Sequence, residues 1–156
     1  MTVEVGMQAP DFTLEGNTNE TVTLSSFKGK NVVLYFYPKD MTPGCTTEAC
    51  DFRDRVQQFN EMNAVIVGIS PDPVDRHKKF IEKYGLPFIL LADTDNRVAE
   101  AYGVWKLKKN FGKEYMGIER STFILDKKGI LVKEWRKVQV NGHVEEALNY
   151  IRENLQ

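Results

Sequence analysis

The sequence predicts an α/β protein built on one central mixed sheet with helices on both faces. Two observations carry this. Strand-length apolar runs alternate with segments whose apolar residues recur at helical spacing, and the strands are apolar almost throughout, as strands covered on both faces are. A third gives the sheet its mixed character: the last two strands are joined by a tight turn and a final helix follows.

A small N-terminal hairpin is expected from Phe12–Leu14 and Thr21–Leu24. The first buried strand is Val32–Tyr37. After it, Ala49, Phe52, Val56 and Phe59 form a helical stripe that Asn60-Glu61-Met62-Asn63 closes. The second buried strand is Ala64–Ile69. Pro73 opens a helix to about Tyr84, and Gly85 is its stop signal. Phe88–Leu91 is the next strand, and Val98, Ala101 and Tyr102 mark a short helix before Gly103. Thr122–Leu125 and Ile130–Trp135 pair through the turn Asp126-Lys127-Lys128-Gly129, and Val144, Leu148, Ile151 and Leu155 mark the closing helix. This order fits a thioredoxin-like sheet. A flavodoxin-like doubly wound sheet fits less well, because it rarely ends in a hairpin.

No linker, repeat or low-complexity segment divides the 156 residues, so residues 1–156 read as one domain long enough to bury a core unaided. The 21 basic and 22 acidic residues leave a net charge of −1, which removes the electrostatic case for nucleic acid. No run approaches a membrane span of about 20 residues, and no basic region followed by an apolar run opens the chain. A cytoplasmic protein with no membrane partner is therefore expected. Two cysteines are too few for a disulfide framework or a cysteine-rich zinc module. His77 and His143 lack the spacing of a metal motif and read as surface residues. Lys106-Leu107-Lys108-Lys109 reads as a solvated basic loop. Trp105, Phe111, Tyr115 and Met116 fit either an active-site wall or core.

The chemistry concentrates in Pro38-Lys39-Asp40-Met41-Thr42-Pro43-Gly44-Cys45-Thr46-Thr47-Glu48-Ala49-Cys50. Thr42 is a natural N-cap and Pro43 a natural first helical residue. Cys45 then lies in the first turn, where unpaired N–H groups and the helix dipole favour its thiolate, the reactive form. At 100° per residue Ala49, Phe52, Val56 and Phe59 all fall within about 40° of Cys45, so Cys45 heads the buried face. Cys50 sits roughly 140° around the helix, with the two Cα atoms roughly 8.7 Å apart on ideal geometry. A disulfide spans at most about 7 Å. If these cysteines pair, the helix between them has to unwind.

These residues resemble the peroxiredoxins. Pro38-x-x-x-Thr42-x-x-Cys45 matches that family's signature, and Thr42-Pro43-Gly44-Cys45-Thr46-x-Glu48-x-Cys50 is similar to its Q-type branch, the bacterioferritin comigratory proteins. Weaker matches follow in order: Gly6-x-x-Ala9-Pro10-Asp11-Phe12, Gly68-Ile69-Ser70 and Glu119-Arg120-Ser121-Thr122-Phe123-Ile124. The resemblance implies a thioredoxin-like fold and a peroxidase acting on hydrogen peroxide and organic hydroperoxides. It implies Cys45 as peroxidatic nucleophile, Cys50 as resolving cysteine and Thr42 as the hydrogen-bonding partner of peroxide and thiolate. Pro38 would shield the pocket, Arg120 would stabilise the thiolate, and Glu48 would orient Arg120. Tyr37 would be a pocket wall. Thioredoxin or a similar dithiol protein would be the reductant, the protein would act as a monomer, and no cofactor or metal would be needed.

Two other readings compete. A thioredoxin-type thiol–disulfide oxidoreductase would use Cys-x2-Cys and a late proline, whereas here the spacing is Cys-x4-Cys and no proline falls within 110–125. A non-catalytic thioredoxin-like binding domain with a structural cysteine pair is opposed by the helical phase.

Overall fold

In the computed structural model, which describes residues 3–155, seven strands form one sheet and two more form a separate hairpin. Met1, Thr2 and Gln156, which the sequence reading includes in its domain, lie outside the described residues. β1 (Thr13–Gly16) and β2 (Thr21–Thr23) are the N-terminal hairpin, followed by a 3-10 turn over Leu24–Phe27. β3 (Asn31–Phe36), β4 (Ala64–Ser70) and β5 (Ile89–Ala92) run parallel, while β8 (Ser121–Leu125) pairs antiparallel with β3 and β9 (Leu131–Arg136) antiparallel with β8. The order is β2-β1-β5-β4-β3-β8-β9, so β3 occupies the interior and β1 extends the edge at β5. This is the mixed thioredoxin-like sheet with an N-terminal hairpin, not the doubly wound alternative.

All six residues of β3 are buried, and strand alternation divides them between two cores. Val33 and Tyr35 join Phe52, Phe80, Leu90 and Leu148 on one face, while Val32, Leu34 and Phe36 join Ile69, Val98, Tyr102 and Phe123 on the other. The first face is covered by α1 (Pro43–Asp54), α2 (Val56–Glu61), α3 (Val74–Tyr84) and α5 (His143–Asn154), and the second by α4 (Arg97–Ala101). Gly68 makes this packing possible: a Cβ there would stand 2.7 Å from Leu90 Cδ2 and 2.9 Å from the Tyr35 ring.

Several expectations are corrected. The helix after β3 breaks at Arg55, whose φ/ψ of −118°/9° leaves helical geometry. The apolar stripe carries on through Val56 and Phe59 and so hides the break. α3 keeps its expected bounds, with Pro73 opening it at the N-cap and Gly85 ending it in the left-handed conformation at φ 61°. His77 and His143 are buried, at 0 % and 3 % exposure. Each has a polar partner inside: His77 meets Asp40, and His143 Nε2 lies 2.8 Å from Thr122 Oγ1. Burial holds the His143 imidazole well down, at about 4.

The basic segment is strand rather than loop. Trp105–Asn110 forms β6, paired antiparallel with β7 (Lys113–Ile118). The sequence shows no strand alternation there because most of both strands stands in solvent. Trp105 packs against the second core, whereas Phe111, Tyr115 and Met116 are exposed.

Candidate active site

The site forms where β3 ends and α1 begins. Pro38 and Lys39 follow the strand, Pro38 half-buried, and Met41 adopts φ 65°, uncommon for a residue with a side chain. Thr42 takes the N-cap position with extended φ/ψ, but its hydroxyl caps nothing. It donates instead to the Lys39 carbonyl at 2.8 Å, while the Thr42 carbonyl accepts the Thr46 N–H. The expected cap is thus one of position only, and the hydroxyl is tied to the loop that carries Pro38.

Cys45 occupies the third residue of α1 and is 2 % exposed. It heads the buried stripe with Ala49 and Phe52, as the helical phase requires. Arg120, between β7 and β8, reaches it from the far side of the chain. Its Nη2 donates to Cys45 Sγ at 3.2 Å and its Nη1 to Glu48 Oε1 at 2.7 Å. Gly44 permits this approach, since a Cβ there would lie 3.2 Å from Arg120 Nη2. The Arg120 backbone is fixed as well, its carbonyl accepting the Val138 N–H.

One cation thus serves two groups in a nearly closed setting. Burial works against the Arg120 charge, but Glu48 and Cys45 more than compensate, so the guanidinium binds its proton more tightly than usual. Glu48 is fully buried, and burial pushes its carboxyl up to about 7 despite the opposing pull of Arg120. Its Oε2 finds no partner among the described residues, nor does the Tyr35 hydroxyl. Cys50 is half-buried, free and on another side of the same unbroken helix.

Cys45, Arg120 and Glu48 are therefore joined by direct hydrogen bonds, Thr42 and Pro38 belong to the loop leading into them, and Cys50 stands apart. A polar network that the sequence reading missed holds that loop from beneath. Tyr37, expected to be a pocket wall, donates its hydroxyl to Asp40 Oδ1 at 2.5 Å. His77 Nδ1 meets Asp40 Oδ2 at 2.6 Å, and its Nε2 donates to the Leu91 carbonyl at 3.0 Å. The Asp40 N–H donates to Asp72, which also accepts the Ser70 hydroxyl. All of these groups are buried. His77 had a readable signal: it shares an i, i+3, i+4, i+7 stripe with Phe80, Ile81 and Tyr84.

A buried thiol held by a guanidinium at a helix N-terminus, on this sheet, defines a thiol-centred oxidoreductase site. The chain matches the AhpC/TSA family over residues 5–134. It is 64 % identical over 153 residues to peroxiredoxin Bcp of Bacillus subtilis, covering 98 % of each chain. A Xylella fastidiosa peroxiredoxin Q structure superposes with a TM-score of 0.94 at 36 % identity, over 100 % of this chain and 99 % of that one. The Xanthomonas campestris bacterioferritin comigratory protein, described for its alkyl peroxide reduction activity, gives 0.89 at 40 % identity over 93 % and 92 %. This chain belongs to the AhpC/TSA family as a peroxiredoxin of the Bcp, or Q, type. Peroxiredoxins are thiol-dependent peroxidases.

Proposed function

We propose that the chain, acting as one domain over residues 1–156, reduces hydrogen peroxide and organic hydroperoxides through Cys45. The observation that supports this best is the Arg120 guanidinium shared between Cys45 Sγ and Glu48. A thiolate at Cys45 is held by Arg120 and by the first-turn N–H groups of α1. Its electron pair attacks the distal peroxide oxygen, the O–O bond breaks, and negative charge builds on the departing oxygen. Arg120 and the helix N-terminus are already oriented to stabilise that charge. Thr42, whose proton is committed to the Lys39 carbonyl, offers its lone pairs to the peroxide O–H. Pro38 shelters the thiolate from bulk water, and the departing alkoxide or hydroxide leaves as alcohol or water once protonated.

The product on Cys45 is a sulfenic acid. Cys50 condenses with it, releasing water and leaving a disulfide. A dithiol protein, thioredoxin or one like it, then reduces that bond by exchange. Each step uses side chains of this chain and the reductant; no cofactor or metal enters it. Both sulfurs lie in one chain, so a monomer suffices, and the cytoplasm is the compartment we propose.

The test is peroxide consumption in the presence of a thioredoxin system. Cys45→Ser abolishes turnover, whereas Cys50→Ser still consumes one equivalent of peroxide and then fails to recycle efficiently. Full turnover by Cys45→Ser would overturn the proposal.

A further inference from the structure

The β6–β7 hairpin ends in a residue whose position the fold itself does not explain. Phe111 is 97 % exposed. It takes φ 52°, and Gly112 after it takes φ 78°, so a two-residue turn of left-handed residues joins Asn110 to Lys113. Such turns favour Asn-Gly. A phenylalanine at the first position carries backbone strain and leaves its ring in water, and among the described residues it joins neither hydrophobic core.

The strands behind it carry a matching pattern. Cross-strand partners share a face. Trp105 and Ile118, packed on the second core, continue outward into Leu107 opposite Met116, which are 57 % and 46 % exposed. The other face carries Lys106, Lys108, Tyr115 and Lys113. Residues 105–118 hold four lysines and one glutamate, a net +3, in a chain whose total is −1. At its base the hairpin borders a cleft of about 370 Å³ that also includes Arg120 and Lys137.

We propose that this hairpin docks on an anionic lipid surface, with Phe111 entering the interface and the surrounding lysines resting on the headgroups. Exposure and charge together select this occupant. Phe111 stands out in solvent at the tip, and the exposed apolar side chains behind it are interleaved with lysines. Long lysine stems keep their ammonium groups at headgroup level while an aromatic ring goes deeper. One aromatic wedge with a few lysines gives reversible, salt-sensitive binding that depends on anionic lipid. Docking would turn the cleft beside Arg120 toward the lipid. The expectation of no membrane partner rests on the missing span, and a peripheral contact of this kind needs no span. The contact itself does not depend on the peroxidase reading.

The experiment is co-sedimentation of the full chain with phosphatidylglycerol/phosphatidylcholine vesicles and with phosphatidylcholine alone. Phe111→Asn is the decisive variant, because asparagine suits the left-handed turn position and the hairpin should fold at least as well, with an unchanged or raised Tm. The wild-type chain is expected to bind the anionic vesicles and to be released at about 1 M salt, where the screening length is about 3 Å. Phe111→Asn should lose binding about tenfold or more, and Lys109→Gln with Lys113→Gln about fivefold per lysine. Equal binding by Phe111→Asn, or no preference for anionic vesicles, overturns the proposal. So does capture of an acidic protein by the hairpin without any vesicle binding, which would assign this surface to a protein partner.

Discussion

Arg120 and Glu48 form an ion pair of 2.7 Å in which the carboxylate is wholly buried and the guanidinium nearly so. The same guanidinium holds Cys45 Sγ at 3.2 Å through its other terminal nitrogen. This two-handed grip depends on the planar fork of arginine, and the charge and spacing of the site follow from it.

Arg120→Lys should therefore fail despite keeping the charge. A lysine ammonium is a point charge and cannot span Glu48 and Cys45 in the fork geometry. We expect kcat/KM for peroxide to fall about 10²–10³-fold, the usual cost of removing a preorganised donor from developing negative charge. Stopped-flow peroxide consumption checks this, with circular dichroism confirming the fold. A loss below about threefold would place the stabilisation elsewhere.

Glu48 gives the protein a pH-dependent stability term. Burial raises its carboxyl from the ordinary 4.5 to about 7, so between these values the folded state binds more protons than the unfolded. The burial cost is absent below about pH 4.5, grows as pH rises through this window, and is complete above about 7. A shift of this size corresponds to about 3 kcal/mol. Glu48→Gln removes the titration, so urea unfolding at pH 5 and pH 7.5 should show the wild type losing stability relative to the variant as pH rises. Parallel stabilities at both pH values would contradict the assignment.

The network beneath the loop should behave as a coupled unit. His77→Ala leaves the buried Asp40 carboxylate with Tyr37 but without its ring partner, and should cost about 3–5 kcal/mol. The double variant carrying Asp40→Ala as well should be destabilised by much less than the sum of the two single changes. Chemical denaturation of the four proteins in that cycle measures the coupling, and simple additivity would show that the two groups act independently.

Pairing of Cys45 with Cys50 has a conformational price. α1 runs unbroken from Pro43 to Asp54, and helix geometry holds the two Cα atoms beyond disulfide reach. Amide exchange over residues 45–52 should therefore be slow in the reduced protein and fast once the disulfide forms. Equal protection in both states would rule out the local unwinding.

The strands and the helix holding Cys45 were legible because their signals are local: apolar runs, a cap position, a proline, a stop glycine. The face on which Cys45 lies followed from counting residues around a helix. Arg120 and Glu48 came only through family resemblance, since nothing in a lone arginine 75 positions from a cysteine announces contact. Asp40 gives no local signal, because its partners lie more than thirty residues away, Asp72 in the connection between β4 and α3 and His77 in α3. Lys106-Leu107-Lys108-Lys109 reads as loop rather than as part of β6 because solvated strands lack the alternation that a half-buried sheet imposes.

The most direct measurement is the intact mass of the fully reduced chain after one equivalent of hydrogen peroxide, followed by peptide mapping. Attack by Cys45 and resolution by Cys50 predict a loss of about 2 Da from a monomer, with one disulfide linking the two cysteines. A reduced, unmodified Cys45 after the peroxide is consumed would contradict the assignment of Cys45 as the reacting thiol. A stable gain of about 16 Da on Cys45 with Cys50 still free, or a disulfide between two chains, would contradict resolution by Cys50.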